Sequence, residues 1–141
     1  MTMKRVVLRL AITATAGSLL CSNPTAAQIP PPAKKTERIE IATGPEVELS
    51  KPHLTIIRWT TNNPGGSDVH YCVVHYGTDP KELSQTMQNP IRLNQSHPET
   101  TFRVQMRGLE PRTTYYYTVT SMESNGKSDG VTSKVRQFTT P

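Results

Sequence analysis

The sequence predicts an all-β chain folded as a seven-stranded, two-sheet sandwich, and three observations carry that expectation. From Arg38 onward, apolar and polar residues alternate in short runs, the period-two signature of half-buried strands. Clusters of Gly, Pro, Asn, Asp and Ser divide these runs, and no stretch of helical period interrupts them. Residues 108 to 119, GLEPRTTYYYTV, turn a corner and start a strand. There Pro111 fixes one φ angle and Thr113 and Thr114 favour an extended backbone. Tyr115 is expected to open a strand with its ring inward and its hydroxyl returned to nearby backbone.

Arg38 to Ala42 and Val47 to Ser50 read as a first strand broken at Gly44-Pro45. Leu54 to Thr60 follows, with Thr55, Ile57 and Trp59 on one face. After the turn Asn62-Asn63-Pro64-Gly65-Gly66, Val69 to Tyr76 places Cys72, Val74 and Tyr76 inward and Tyr71, Val73 and His75 outward. Pro80 to Gln88 reads as a short helical turn or an irregular edge before an edge strand near Ile91 to Leu93. Thr100 to Arg107 puts Phe102, Val104 and Met106 on one face. Thr114 to Ser121 carries Tyr115, Tyr117 and Val119 inward, leaving Tyr116, Thr118 and Thr120 outward. Val131 to Thr139 closes the sheet, with a bulge expected if Val135 and Phe138 are both buried. No internal repeat is present, so a single domain is expected.

The corner GLxPxTxYxYxV, with Trp59 and the VHYG of residues 74 to 77, resembles the fibronectin type III family. It is most similar to the variant found as the N-terminal domain of purple acid phosphatases. The resemblance spans roughly residues 36 to 141 and implies an immunoglobulin-like sandwich with a tyrosine corner. Its structural signature here is Trp59, Tyr76, Leu109, Pro111, Tyr115 and Tyr117. In that family the metal site lies in a second, C-terminal domain, which would begin near Phe138 to Pro141. The resemblance therefore carries over no catalytic residue, and implies that any catalysis is supplied by another protein.

Lys4, Arg5 and Arg9 precede or interrupt an apolar stretch from Leu10 to Leu20, followed by Pro24-Thr25-Ala26-Ala27. This reads as a secretory signal, residues 1 to 27, cleaved after Ala27, and the protein is expected to be exported to the periplasm or secreted. The apolar run falls short of the roughly 20 residues of a bilayer span, so no transmembrane helix is expected. Cys21 raises lipidation, but the bulky Leu20 before it argues against an anchor there. Residues 28 to 35, with Pro30-Pro31-Pro32, read as a polyproline spacer, and residues 36 to 141 as the folded domain.

The whole chain carries 16 basic and 11 acidic residues. Three basic residues leave with the signal, so 13 against 11 remain, a net charge of +2. That is no basic stripe, and nucleic-acid binding is set aside. Of the two cysteines only Cys72 remains, so an internal disulfide is impossible and a buried, inert thiol is expected.

No HExxH, CxxC, GxSxG or glycine-rich phosphate loop occurs. His53 and His97 stand beside Pro52 and Pro98 in turns. His70 and His75 are an odd number apart on one strand, so they face opposite ways and cannot share a metal. Glu46 and Glu48 share a strand face and read as an exposed edge that discourages strand addition. No catalytic residue, metal site or cofactor is expected.

The candidate binding face is the outer surface of the second sheet, at Tyr71, His75, Tyr116 and Thr118. Its strands are expected to be neighbours, forming an aromatic and hydroxyl-rich platform or a merely stabilising aromatic pair. The polar tip Ser124 to Gly130 lacks Arg-Gly-Asp and, like Asn62 to Asp68, reads as a connection. Asn94-Gln95-Ser96 is a glycosylation sequon. The expectation is a non-catalytic exported interaction module of the cell envelope or extracellular space, whose partner is a protein or a polysaccharide. Alternatives are an accessory domain docking on a separately encoded metallophosphoesterase or other hydrolase, and a structural spacer.

Overall fold

A computed structural model describes residues 34–141. The expected signal segment, its cleavage point, Cys21 and the prolines of the spacer lie outside the described residues. Among those described there is no helix, hence none long and apolar enough to cross a membrane. Eight strands form two antiparallel sheets: β1 (Ile41–Lys51), β2 (Leu54–Asn62), β3 (Val69–Gly77), β4 (Gln85–Arg92), β5 (Glu99–Met106), β6 (Thr114–Glu123), β7 (Ser128–Thr132) and β8 (Arg136–Thr139). The three-stranded sheet runs β1-β2-β5. The five-stranded sheet runs β4-β3-β6-β7, with β8 also pairing β6.

Each inner face is written by alternation. Thr55, Ile57, Trp59 and Thr61 on β2 and Phe102, Val104 and Met106 on β5 are buried. They face Cys72, Val74 and Tyr76 on β3 and Tyr115, Tyr117 and Val119 on β6. The rings interlock rather than merely coexist. Trp59 stacks on its cross-strand partner Phe102 at 5.4 Å, Tyr115 stacks on Phe138 at 5.8 Å, and Tyr117 meets Phe138 edge-on at 5.7 Å. Such offset and edge contacts suit the ring quadrupole, and truncating a buried Phe of this kind typically costs about 3–5 kcal/mol. The corner behaves as its residues dictate: the Glu110 amide donates to the Tyr115 hydroxyl at 3.0 Å. Thr140 then ties the last residues to the corner, its hydroxyl donating to the Glu110 carbonyl at 2.6 Å and accepting from the Thr113 amide at 2.9 Å.

The structure departs from, or narrows, the sequence expectations at several points. The count is eight strands, not seven, because Val131 to Thr139 is not one strand: β7 pairs the far half of β6 and β8 the near half. Between them Ser133 substitutes for regular pairing, its amide donating to the Val119 carbonyl and its hydroxyl accepting from the Val119 amide, each at 3.0 Å. Val135 is 46% exposed, so the burial that a bulge was to reconcile with Phe138 does not arise. Pro80 to Gln88 holds no helical turn. The chain turns at Asp79–Glu82 and enters β4, an edge strand that tolerates Pro90, while Leu93 is buried beyond its end. The polar tip is shorter than expected, because Ser128 to Gly130 already belongs to β7. Val73 points outward by register yet is 3% exposed, covered among Tyr71, His75, Gln88 and Thr120.

Candidate functional site

The outer face of the five-stranded sheet can be laid out from its register. On β3 and β6, His75 stands directly opposite Thr118, Val73 opposite Thr120, Tyr71 opposite Met122 and Gly77 opposite Tyr116. On the other flank β4 sets Thr86 beside His75 and Pro90 beside Tyr71. His75 and Thr118 are thus brought together, with the Thr86 hydroxyl 3.4 Å from His75 Nδ1. Tyr71 and Tyr116 are not. Met122, the partner of Tyr71, is six residues along β6 from Tyr116, which at ~3.4 Å per residue separates the two tyrosines by about 20 Å. The expected cross-strand aromatic pair does not exist. The face is a strip of hydroxyls and one imidazole with a half-buried tyrosine at each end.

A second constellation, absent from the sequence reading, lies at the end of the sandwich where β3 begins and β6 ends. Residues 34–40 run as a strap beside the Asn62–Gly66 turn. The Thr36 amide donates to the Pro64 carbonyl at 2.9 Å, and its hydroxyl to the Asn63 carbonyl at 2.7 Å. Asn62 donates to the Arg38 carbonyl and accepts from the Glu40 amide, while Ile39 is buried. Gly65 is required here, since a Cβ would collide with the Lys34 carbonyl and φ is +62°.

The strap delivers the Lys35 ammonium between two carboxylates, Asp129 on β7 and Glu123 on β6, the latter at 3.0 Å. Asp129 is buried, accepts from the Ser121 hydroxyl at 2.7 Å, and lies 3.3 Å from Nε2 of the fully buried His70. Neither His70 ring nitrogen has a well-aligned hydrogen-bond partner among the described residues. Burial works to raise the Asp129 carboxyl, but contacts from His70, Lys35 and Ser121 outweigh it and hold it below its ordinary value. Lys35 and Ser67 hold Glu123 low as well. For Lys35, burial opposes the charge, yet hydrogen bonds to both carboxylates leave it raised. Lys35, expected at the end of a free spacer, is instead locked to the domain.

This cluster is a charged tie, not a catalytic triad. Asp129 accepts from Ser121, so the hydroxyl is not paired with the imidazole that would activate it. His70 and His75 do face opposite ways, one buried and one on the outer strip. Glu46 and Glu48 are paired: Glu46 with Arg58, and Glu48 with Arg103 through contacts of 2.7 and 2.9 Å. Among the described residues no group of three or more His, Cys, Asp or Glu side chains is placed to hold a metal ion. Cys72 is buried and free; its thiol points to the Asn89 and Arg103 carbonyls at 3.0 and 3.3 Å, and burial pushes its pKa up. A small cleft of about 120 Å³ beside the corner, lined by Leu54, Met106, Leu109 and Pro111 among others, is smaller than ligand pockets usually are.

Residues 45–140, which include nearly the whole sandwich, match the family described as the purple acid phosphatase N-terminal domain. The chain belongs to that family. No curated protein matches it. The matched residues of this purple acid phosphatase N-terminal domain contain all six signature positions, Trp59, Tyr76, Leu109, Pro111, Tyr115 and Tyr117. Five of these are buried or packed against the core, and Pro111 stands exposed at the corner. The strap that carries Lys35 lies before the matched span, whereas its partners Glu123 and Asp129 lie within it.

Proposed function

We propose that this protein is a non-catalytic interaction module, exported to the periplasm or the cell exterior, that uses the outer face of its five-stranded sheet to bind a protein or polysaccharide. The observation that carries this reading is the family match to an N-terminal domain, in a sandwich whose ionisable clusters are committed to internal ties. The fibronectin type III likeness supports the same reading, since such sandwiches present strand faces and loops rather than deep pockets. Tyr71, His75, Thr118 and Tyr116 form the candidate strip, read as two separate stations. Retention of the purified protein on fractionated cell envelope and insoluble polysaccharides, beside Tyr71→Ala and Tyr116→Ala, tests this. Loss of retention in either variant supports the reading, and no retention of the unaltered protein on any fraction removes it.

The family match favours one alternative, docking on a separately encoded metallophosphoesterase. That reading predicts recovery of such an enzyme with the tagged protein. A structural spacer predicts neither result.

A further inference from the structure

The hairpin that holds both carboxylates of the Lys35 tie also carries the one asparagine of the chain that precedes glycine, Asn125-Gly126. Of the others, Asn23, Asn63 and Asn89 precede proline, which has no amide N–H, and Asn62 and Asn94 precede the larger Asn63 and Gln95. Asn125 and Gly126 stand exposed at the tip between β6 and β7, and nothing lies within 4 Å of the position a Gly126 Cβ would take. The Asn125 carboxamide oxygen accepts from the Lys127 amide at 2.9 Å, which turns the side chain forward along the Gly126 peptide. The Gly126 amide donates to the Glu123 carbonyl at 2.9 Å, a bond at an exposed tip. Opening of such tips lies at the low end of local unfolding free energies.

We propose that Asn125 is a site of spontaneous covalent modification, in which the Gly126 nitrogen displaces the Asn125 side-chain amide, and that the isoaspartyl product loosens the strap of residues 34–40. Once solvent base has taken its proton, the Gly126 nitrogen attacks Asn125 Cγ. A C–N bond forms, the Cγ–Nδ2 bond breaks, and ammonia leaves with a proton from water. Water then opens the cyclic imide. Addition at Cγ restores the ordinary chain as aspartate, whereas addition at the Asn125 main-chain carbonyl carbon routes the backbone through Cβ and Cγ as isoaspartate, longer by a methylene. Glycine favours the attack because no Cβ crowds the nitrogen. The longer main chain disturbs both bonds that close the tip, from the Gly126 amide to the Glu123 carbonyl and from the Glu123 amide to the Lys127 carbonyl at 2.8 Å. Glu123 in turn supplies one of the two carboxylates that hold Lys35, and accepts from the Ser67 hydroxyl at 3.0 Å. Asp129-Gly130 on the same hairpin is spared the equivalent cyclisation. Asp129 is buried, its carboxylate is engaged by Lys35 and Ser121, and the carbon of a carboxylate resists nucleophiles.

The test is ageing of the purified protein at mildly alkaline pH, followed by peptide mass spectrometry, with isoaspartate read by enzymatic methylation of its free α-carboxylate. Conversion at Asn125 is expected to run at least about tenfold faster than at Asn62 or Asn94, whose following residues are bulkier. Hydrogen exchange in residues 34–40 should quicken in the isoaspartyl fraction. It should not quicken in Asn125→Asp, which places the new charge on an unaltered backbone, nor in aged Asn125→Gln. Conversion at Asn125 no faster than at Asn62 and Asn94 overturns the site. Conversion without faster exchange in the strap, or equally fast exchange in Asn125→Asp, overturns the coupling through the lengthened backbone.

Discussion

Arg58 and Arg103 stand directly opposite each other on β2 and β5, two like charges in a cross-strand pair, and Glu48 on β1 lies between their guanidinium groups. Glu46 supplies a second carboxylate to Arg58. Like charges directly opposed on a sheet repel, so the outer face of the three-stranded sheet depends on this acidic edge. Hydrogen bonding from Arg103 accordingly holds the Glu48 carboxyl below its ordinary value.

Replacing Glu48 with Gln should therefore lower Tm at low ionic strength, and the deficit should shrink at about 0.5 M salt, where the Debye length falls to a few ångströms. Thermal melts of both proteins at two salt concentrations read this directly. An identical deficit at both would show that Glu48 acts through packing and not charge.

The Lys35 tie has a defined pH window. The folded-state values of Asp129 and Glu123 lie below their ordinary 3.8 and 4.5, so their contribution is complete above those values and is lost as pH falls through the depressed ones. Lys35 is raised above 10.5, so its contribution is complete below that and lost as pH rises through the folded value. Lys35→Met should cost about 1–2 kcal/mol near neutrality, between the expectations for surface and buried pairs, and should flatten the acid limb of the stability curve. Hydrogen exchange should show residues 34–40 opening in the variant ahead of β3 and β6. Parallel acid limbs in the two proteins would remove the tie.

Cys72 should resist thiol reagents in the native state. Burial and a raised pKa both suppress the thiolate, so modification should wait for opening of the sandwich and run ~10³-fold or more slower than for a free thiol. Mass measurement of the Cys72 peptide over time in native buffer checks this, and complete labelling within minutes would contradict the packing described.

Tyr115→Phe removes the acceptor of the Glu110 amide while keeping the ring against Phe138 and Tyr76. A loss of about 0.5–1.5 kcal/mol in denaturant unfolding is expected, with little change in the slope. A loss near that of a core truncation would mean the hydroxyl organises the whole corner.

Much of the fold was legible because alternation assigns faces. The inner residues of β2, β3, β5 and β6 and the Tyr115 corner followed from it directly. Alternation does not fix register between strands, which is why Tyr71 and Tyr116 could be placed on one face but not at their true separation. The Lys35–Asp129 tie joins residues 94 apart, and Asp129 read as loop because a polar residue in a Gly-Lys-Ser-Asp-Gly context carries no local sign of burial. The contact of Asp129 with Ser121 follows from β7 being a strand, which the sequence does not mark. The split at Ser133 was hidden likewise, since its hydroxyl stands in for a backbone acceptor opposite the Val119 amide on β6, which no local pattern marks.

The strap sits at the Asn62–Gly66 end of the sandwich, and Thr140 is fastened at the Pro111 end. Tension applied between Lys34 and Pro141 would therefore run the length of the domain. It would load β1 against β2 and β8 against β6 in shear, so that each ladder's hydrogen bonds share the force instead of unzipping singly. Lys35 would give way first, releasing a few residues of slack before the sandwich itself bears the pull. The Lys35 tie and the Thr140 fastening thus set the order in which the domain would yield to such a pull.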